Sequence, residues 1–232
     1  GLLAGAFFPR YRGIVIFSLY ILGVVLGILS GLLFKRTMFT GEEAPFVIEL
    51  PPYRMPSAKN VLTHVWERVS HFLEKAGTII FAMSVLLWFL ESFNFSFQMV
   101  ENAGDSIIGR IGSLIAPVFT PLGFGTWQAA VALITGIVAK EAVVSSLAMF
   151  YGFSVSAESA VVGSALAGTF TPLAAYSFLV FVLLYTPCMA AVATMRRELA
   201  SRKWTAFAVV YQIGIAYIAA LLTYFIGSFF AG

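Results

Sequence analysis

The stretch LAAYSFLVFVLLYTPCMAAVATM, residues 173–195, decides what kind of chain this is. It is uncharged from Leu173 to Met195, and as a helix it is long enough to cross the roughly 30 Å hydrocarbon layer of a bilayer. Pro187 lies within it. A proline lacks the N–H of a helical hydrogen bond and its ring crowds the carbonyl four residues back, so a kink or break is expected there. Inside a bilayer the backbone groups freed by a break must be satisfied by protein or by a water-filled path. Cys188, the single cysteine of the chain, and Met189 follow the proline. Two sulfur side chains at such a break suit a soft or borderline metal ion. The same residues also fit a plain kinked helix that buries an inert cysteine.

Composition agrees with the membrane reading. Hydrophobic residues make up 60% of the 232 and charged residues 11%, against roughly 25% charged in a soluble domain. Mean hydropathy is +0.93. A net charge of +3 with no basic stripe gives nucleic acid nothing to bind. A lone cysteine forms no internal disulfide and leaves the redox compartment open. The first residue is Gly1, and the uncharged run Ile14–Leu33 is too long for a signal-peptide core. The sequence therefore reads as a piece of a longer membrane protein, all-α and polytopic, with broken or re-entrant helices.

Working outward, Ile14–Leu33 is the first span and ends at Lys35 and Arg36. A proline-rich polar stretch follows, then an N-cap at Asn60 and an amphipathic segment, Val61–Ala76, expected at the membrane surface. It feeds into a second span, Gly77–Leu90. Ser106–Phe124 is apolar but short, and carries Arg110, Pro117 and Pro121; it either spans or re-enters. Thr126–Tyr151 is long enough to span, Gly152–Thr169 reads as a loop with a short helix, and Ala206–Ile226 is the last span. Lys35–Lys75 holds six basic residues and Arg196–Lys203 four, while Glu91–Asp105 holds none. Basic loops stay in the cytoplasm, so the first two stretches are expected inside and the third outside. That parity asks for six crossings or a matched pair of re-entrant elements.

Lys140 and Glu141 fall near the middle of Thr126–Tyr151. A charge at a helix centre in a bilayer costs about 2.5–3.5 kcal/mol on insertion scales, so two need a reason. Adjacent residues point about 100° apart on a helix and pair poorly with each other. One reading has Glu141 lining a substrate path and Lys140 anchoring a helix break; the other is a structural salt bridge between helices. His64 and His71 stand two turns apart, about 10 Å, too far to share one metal ion. No G-x-x-x-x-G-K-[ST] phosphate loop and no H-E-x-x-H or paired-cysteine signature occurs. Enzyme chemistry within these residues is not expected.

Four segments, in order, carry a family resemblance: PFVIELPPY at Pro45–Tyr53, GIVAKE at Gly136–Glu141, YTPCMAA at Tyr185–Ala191 and MRRE at Met195–Glu198. Together they resemble the ferrous iron transport protein B family, the bacterial GTPase-linked Fe2+ transporters. The resemblance implies a membrane part built of two inverted repeats, the Gate motifs, with iron passing between them. Cys188 and Met189 match the second-Gate cysteine and its neighbour, with Thr186, Pro187, Lys140 and Glu141 along the path. Residues 1–34 would then hold the end of the first Gate region and the first span, 35–76 a cytoplasmic loop and interfacial helix, and 77–232 the second Gate region and last span. The resemblance further implies Fe2+ as cargo, a GTP-binding domain with its Mg2+ and a first Gate motif outside these residues, a multi-pass location in the bacterial inner membrane, and a possible homo-oligomer. Two other readings stay open: a nucleoside carrier of the Gate fold, and a non-transporting scaffold for a separate GTPase chain.

Overall fold

A computed structural model describes residues 1–38, 57–100, 102–154, 158–186 and 188–231, without the side chains of 68, 71–76, 79, 80 and 231. The motif at Pro45–Tyr53, the side chain of His71 and Pro187 itself lie outside the described residues. Ten α-helices follow one another among those residues, with no strand beyond an isolated bridge between Phe93 and Met99.

A short helix α1 (Leu2–Phe7) leads into α2 (Arg12–Thr37), 26 residues that include the predicted first span. Ile14, Phe17, Tyr20, Ile28 and Leu32 of α2 are all more than half exposed, and only Val15 is buried. In water such a surface would aggregate; in lipid it is at home. Helix α3 (Ala58–Ser92) runs unbroken for 35 residues, about 50 Å at 1.5 Å per residue. The amphipathic segment and the second span are thus one rod. Its N-cap is Ser57 rather than Asn60: the Ser57 hydroxyl accepts the Asn60 N–H at 3.3 Å. Serine at this position leaves the first turn of the helix to Asn60, which has only its N–H to give.

Ser106 caps α4 (Ile107–Phe119), accepting from Gly109 N at 3.1 Å. A 3-10 turn at Thr120–Leu122 and Gly123, at φ 88°, reverse the chain into α5 (Trp127–Val138). Gly123 is required there because φ is positive and a Cβ would strike the Tyr224 ring. The two helices meet at 102° and pack closely on one another. At 13 and 12 residues each reaches only about 20 Å, short of the hydrocarbon thickness. Segment Ser106–Phe124 therefore folds back with α5 instead of crossing alone.

Thr126–Tyr151, long enough to span as one helix, is two helices. Helix α5 ends at Val138, Ala139 is extended (φ −149°, ψ 129°), and α6 (Ala142–Tyr151) starts afresh. Length and hydropathy permit a continuous helix; the break falls at Lys140, whose side chain is described below. The loop after α6 contains α7 (Ser159–Leu166), then come α8 (Pro172–Leu184), α9 (Met189–Leu199) and α10 (Arg202–Ala231). Among the described residues three helical segments are long and apolar enough to cross a membrane, Arg12–Thr37, Pro172–Leu199 and Arg202–Phe230, or four with the bent pair. This is an all-α membrane protein.

The core gathers α1, α5, α6, α7, α8 and α10. Helix α8 is its axis. Ala174, Ala175, Ala216 and Ala220 are buried, and small residues of this kind let helices approach closely where no hydrophobic force drives them together. Ser177 Oγ donates to Ala220 O at 3.0 Å, a buried link from α8 to α10, worth about 0.6 kcal/mol by analogy with measured interhelical bonds in bilayers. An aromatic column runs beside it: Phe124 meets Phe178 at 5.1 Å and Phe119 at 5.6 Å, and Phe119 meets Phe181 at 5.4 Å. Phe181 then stacks on Tyr185 at 5.6 Å. Each such pair adds about 0.5–1.5 kcal/mol beyond burial. The column holds the end of α8 against the α4–α5 turn and so fixes where the chain leaves the helix.

Candidate functional site: two helix breaks that meet

Thr171 starts α8 as a cap, its hydroxyl accepting Ala174 N at 3.1 Å, with Pro172 in the first turn. The helix stops at Leu184; Tyr185 is extended (φ −67°, ψ 172°) and α9 resumes only at Met189, with Cys188 at its N-cap. The break foreseen around Pro187 is thus seen from both sides. A helix end leaves its last carbonyls without partners inside the helix. Phe181 O still accepts the Tyr185 N–H at 2.9 Å, while Val182 O and Leu183 O need donors from elsewhere.

Lys140 supplies them. Its Nζ donates to Val182 O at 3.2 Å, Leu183 O at 3.2 Å and Tyr185 O at 3.4 Å, and lies 5.2 Å from the centre of the Tyr185 ring. An ammonium has three donors, and here three carbonyls receive them. A cation at the negative end of α8 is also favourably placed in the helix dipole. The α5–α6 break thereby crosses to the α8–α9 break: Lys140 anchors the second from the first. The salt-bridge alternative fits less well, because the partners of Lys140 are carbonyls. Glu141, at the N-cap position of α6, is exposed, and the one ion pair found among the described residues joins His64 and Glu67 at 3.5 Å on an exposed face of α3.

Tyr185 and Thr186 are 4% and 3% exposed, yet among the described residues neither the Tyr185 hydroxyl nor Thr186 Oγ1 has a partner. A buried hydroxyl without a partner costs about 1–3 kcal/mol, which a polar ligand would offset. The Tyr185 hydroxyl lies against Gly136 of α5 and Val143 of α6, where a Cβ on Gly136 would collide with it. Below this contact Thr135 Oγ1 pairs with Ser146 Oγ at 2.8 Å, fastening α5 to α6 across their break. Cys188 and Met189 are half-buried, and Cys188 lies within electrostatic reach of both Lys140 and Tyr185.

Five of the six residues singled out from sequence can thus be placed. Lys140, Thr186, Cys188 and Met189 gather on or beside the α8–α9 linker, Glu141 faces outward one residue from Lys140, and Pro187 is outside the described residues. Tyr185 and Gly136 were quoted only for resemblance; their contact is tertiary and has no sequence signal beyond the motifs that contain them. Among the described residues no three His, Cys, Asp or Glu side chains converge as a metal cluster. The donors on offer are one thiol, one thioether, two hydroxyls and backbone carbonyls. The site opens onto a cavity of about 880 Å³ between α2, α8, α9 and α10, lined in part by Lys140, Tyr185, Glu198 and Gln212.

Comparison with known proteins gives consistent matches. Residues 16–68 match the family described as Ferrous iron transport protein B C terminus, and residues 73–202 the Gate family, described as Nucleoside recognition. The chain is 41% identical over 229 residues to the Fe(2+) transporter FeoB of Staphylococcus aureus (strain MSSA476), covering 99% of this chain and 34% of the relative. It is 42% identical over 234 residues to the Fe(2+) transporter FeoB of Methanocaldococcus jannaschii, covering 98% and 34%. The Fe(2+) transporter FeoB of Salmonella paratyphi A is 34% identical over 276 residues, covering 97% and 36%. The chain spans about a third of the length of these curated relatives. No solved structure matches.

Proposed function

Because this chain belongs to the ferrous iron transport protein B family, with a Gate segment over more than half of its length, we propose that it forms the part of an Fe2+ uptake permease where the ion crosses between two broken helices. The observation that carries this reading is the meeting of the two breaks, where Lys140 satisfies two carbonyls of α8 and that of Tyr185, and the adjoining linker keeps two buried hydroxyls without partners among the described residues. Half-helix ends of this kind coordinate ions in other transporters. Fe2+ is borderline in softness and accepts both thiolate and oxygen donors. Cys188 and Met189 supply the sulfur, and Thr186 and the linker carbonyls supply oxygen. A site that conducts must hold its ion loosely enough to release it, and this sparse donor set suits passage better than storage.

In this reading Glu141 draws the cation toward the α5–α6 break from its exposed position. The basic stretches Lys35–Lys75 and Arg196–Lys203 lie on the cytoplasmic face of a cytoplasmic membrane, and a GTP-binding domain with its Mg2+ and the other Gate motif lie in the rest of the protein. A nucleoside carrier is the second reading, favoured by the free hydroxyls of Tyr185 and Thr186 and by the description of the Gate family. The names of the relatives favour iron.

Proteoliposomes of the full-length protein separate the two. Saturable Fe2+ uptake under anoxic conditions, with no flux of uridine or adenosine, is the expected result; nucleoside flux without Fe2+ flux rejects the iron reading. Glu141→Gln keeps shape and hydrogen bonding while removing the charge. It should lower Fe2+ uptake severalfold at matched protein level, and a variant that fails to assemble would instead make Glu141 a structural residue.

A further inference from the structure

The three carbonyls held by Lys140 have the composition of a cation site, and a cation already sits in them. Val182 O, Leu183 O and Tyr185 O converge on one Nζ at 3.2, 3.2 and 3.4 Å. They belong to the same helix end that the proposed ion path uses, and Cys188 lies within electrostatic reach of the same Nζ. An ion held by those carbonyls would meet a second positive charge, the ammonium that already occupies them. The two cannot occupy that place together.

Lysine can leave. Its charge rides on a flexible four-carbon stem, and Lys140 is only half-buried. It lines the cavity of about 880 Å³ whose wall includes Glu198, an exposed carboxylate of α9. Space and a carboxylate are therefore both present in the cavity that Lys140 lines.

We propose that the Val182, Leu183 and Tyr185 carbonyls form a cation site that the Lys140 ammonium and the transported ion occupy in turn, Lys140 withdrawing into the cavity toward Glu198 as the ion enters. This inference rests on the Fe2+ reading of the site above. It adds a basis for selectivity. Na+ and K+ gain no more from the carbonyls than the tethered ammonium does, and Mg2+ gives up its water reluctantly, so none of the three displaces it. Fe2+ also gains bonds to sulfur, and that surplus drives the exchange. At rest Lys140 keeps α8 capped and the path closed to abundant cations.

The test follows Lys140 itself. Full-length protein in detergent is treated briefly with formaldehyde and a borane under anoxic conditions, with no added ion, with Fe2+, or with Mg2+. Methylation of Lys140 is read by peptide mass mapping, and bound iron is counted in parallel. Lys140 should react slowly alone and with Mg2+, and severalfold faster with Fe2+. A capping role confined to structure predicts the same rate in all three. In Lys140→Gln the site need no longer be vacated before binding, so Fe2+ should bind about tenfold more tightly and Mg2+ should begin to compete. Bound Fe2+ with unchanged Lys140 reactivity overturns the exchange alone. Absence of bound Fe2+ in the wild-type protein overturns both the exchange and the Fe2+ reading beneath it. Weaker Fe2+ binding in Lys140→Gln, with the variant folded, also counts against the exchange.

Discussion

Cys188→Ser should reduce Fe2+ uptake by the full-length protein at least about 10- to 100-fold, since losing a mere outer-shell partner of a metal already costs that much and a direct ligand should cost no less. Its amount in the membrane should stay near normal. Serine copies the size of the thiol but is a poor ligand for a borderline metal. Cys188 is half-buried at the N-cap of α9, a position where serine is among the preferred residues. The backbone bond from Val192 N to Cys188 O, 3.0 Å, does not involve the side chain and should persist. A structural role would produce the opposite pattern, with protein lost and transport per molecule unchanged. Uptake measured in iron-starved cells and normalised to immunoblotted protein distinguishes the two, and unchanged uptake returns Cys188 to the role of an inert thiol in a kinked helix.

Gly136→Val should disable the site from the other break. A Cβ on Gly136 has no room: it meets the Tyr185 hydroxyl and Val143 Cγ2. Tyr185 cannot yield easily, since its ring stacks on Phe181 and lies under Lys140. Overpacking of this kind costs about 1–3 kcal/mol, and valine adds two methyl groups to the clash. The expected result is a lower Tm in detergent and loss of Fe2+ uptake, because a displaced Tyr185 takes its carbonyl away from Lys140. The hydroxyl of Tyr185 has no hydrogen-bond partner among the described residues, so Tyr185→Phe should keep or raise stability, by up to about 1–3 kcal/mol. Combined with the milder Gly136→Ala it should restore part of the lost Tm, a coupling that a double-mutant cycle measures. Strict additivity of the two changes would show that the contact does not transmit the strain.

These two residues mark the limit of what the sequence discloses. The spans at α2 and α10 are legible because their apolar runs are long and flanked by charges. The break before Cys188 is legible because proline has one strong local consequence, and the short α7 because its loop is rich in Gly and Ser. The α5–α6 break is legible only in part, as one of two readings of Lys140. Nothing between Thr126 and Tyr151 forbids a helix locally, and the three partners of Lys140 lie more than forty residues away. The same holds for the contact of Gly136 with Tyr185, which joins two motifs read separately in the sequence. The length of α3 is hidden for a different reason: its amphipathic and apolar halves have different periodic signatures but share one uninterrupted backbone. The proposed donors are visible as residue types, whereas the contact of Lys140 with the carbonyls at the end of α8 is a tertiary fact.

The claim that Fe2+ is carried by sulfur at the α8–α9 break is tested most directly by iron K-edge X-ray absorption on full-length protein loaded with one equivalent of Fe2+ under anoxic conditions, beside the Cys188→Ser variant. An iron–sulfur scattering path in the wild-type protein that is lost or diminished in the variant is the predicted result. A wild-type first shell of oxygen and nitrogen alone, indistinguishable from that of Cys188→Ser, would contradict it.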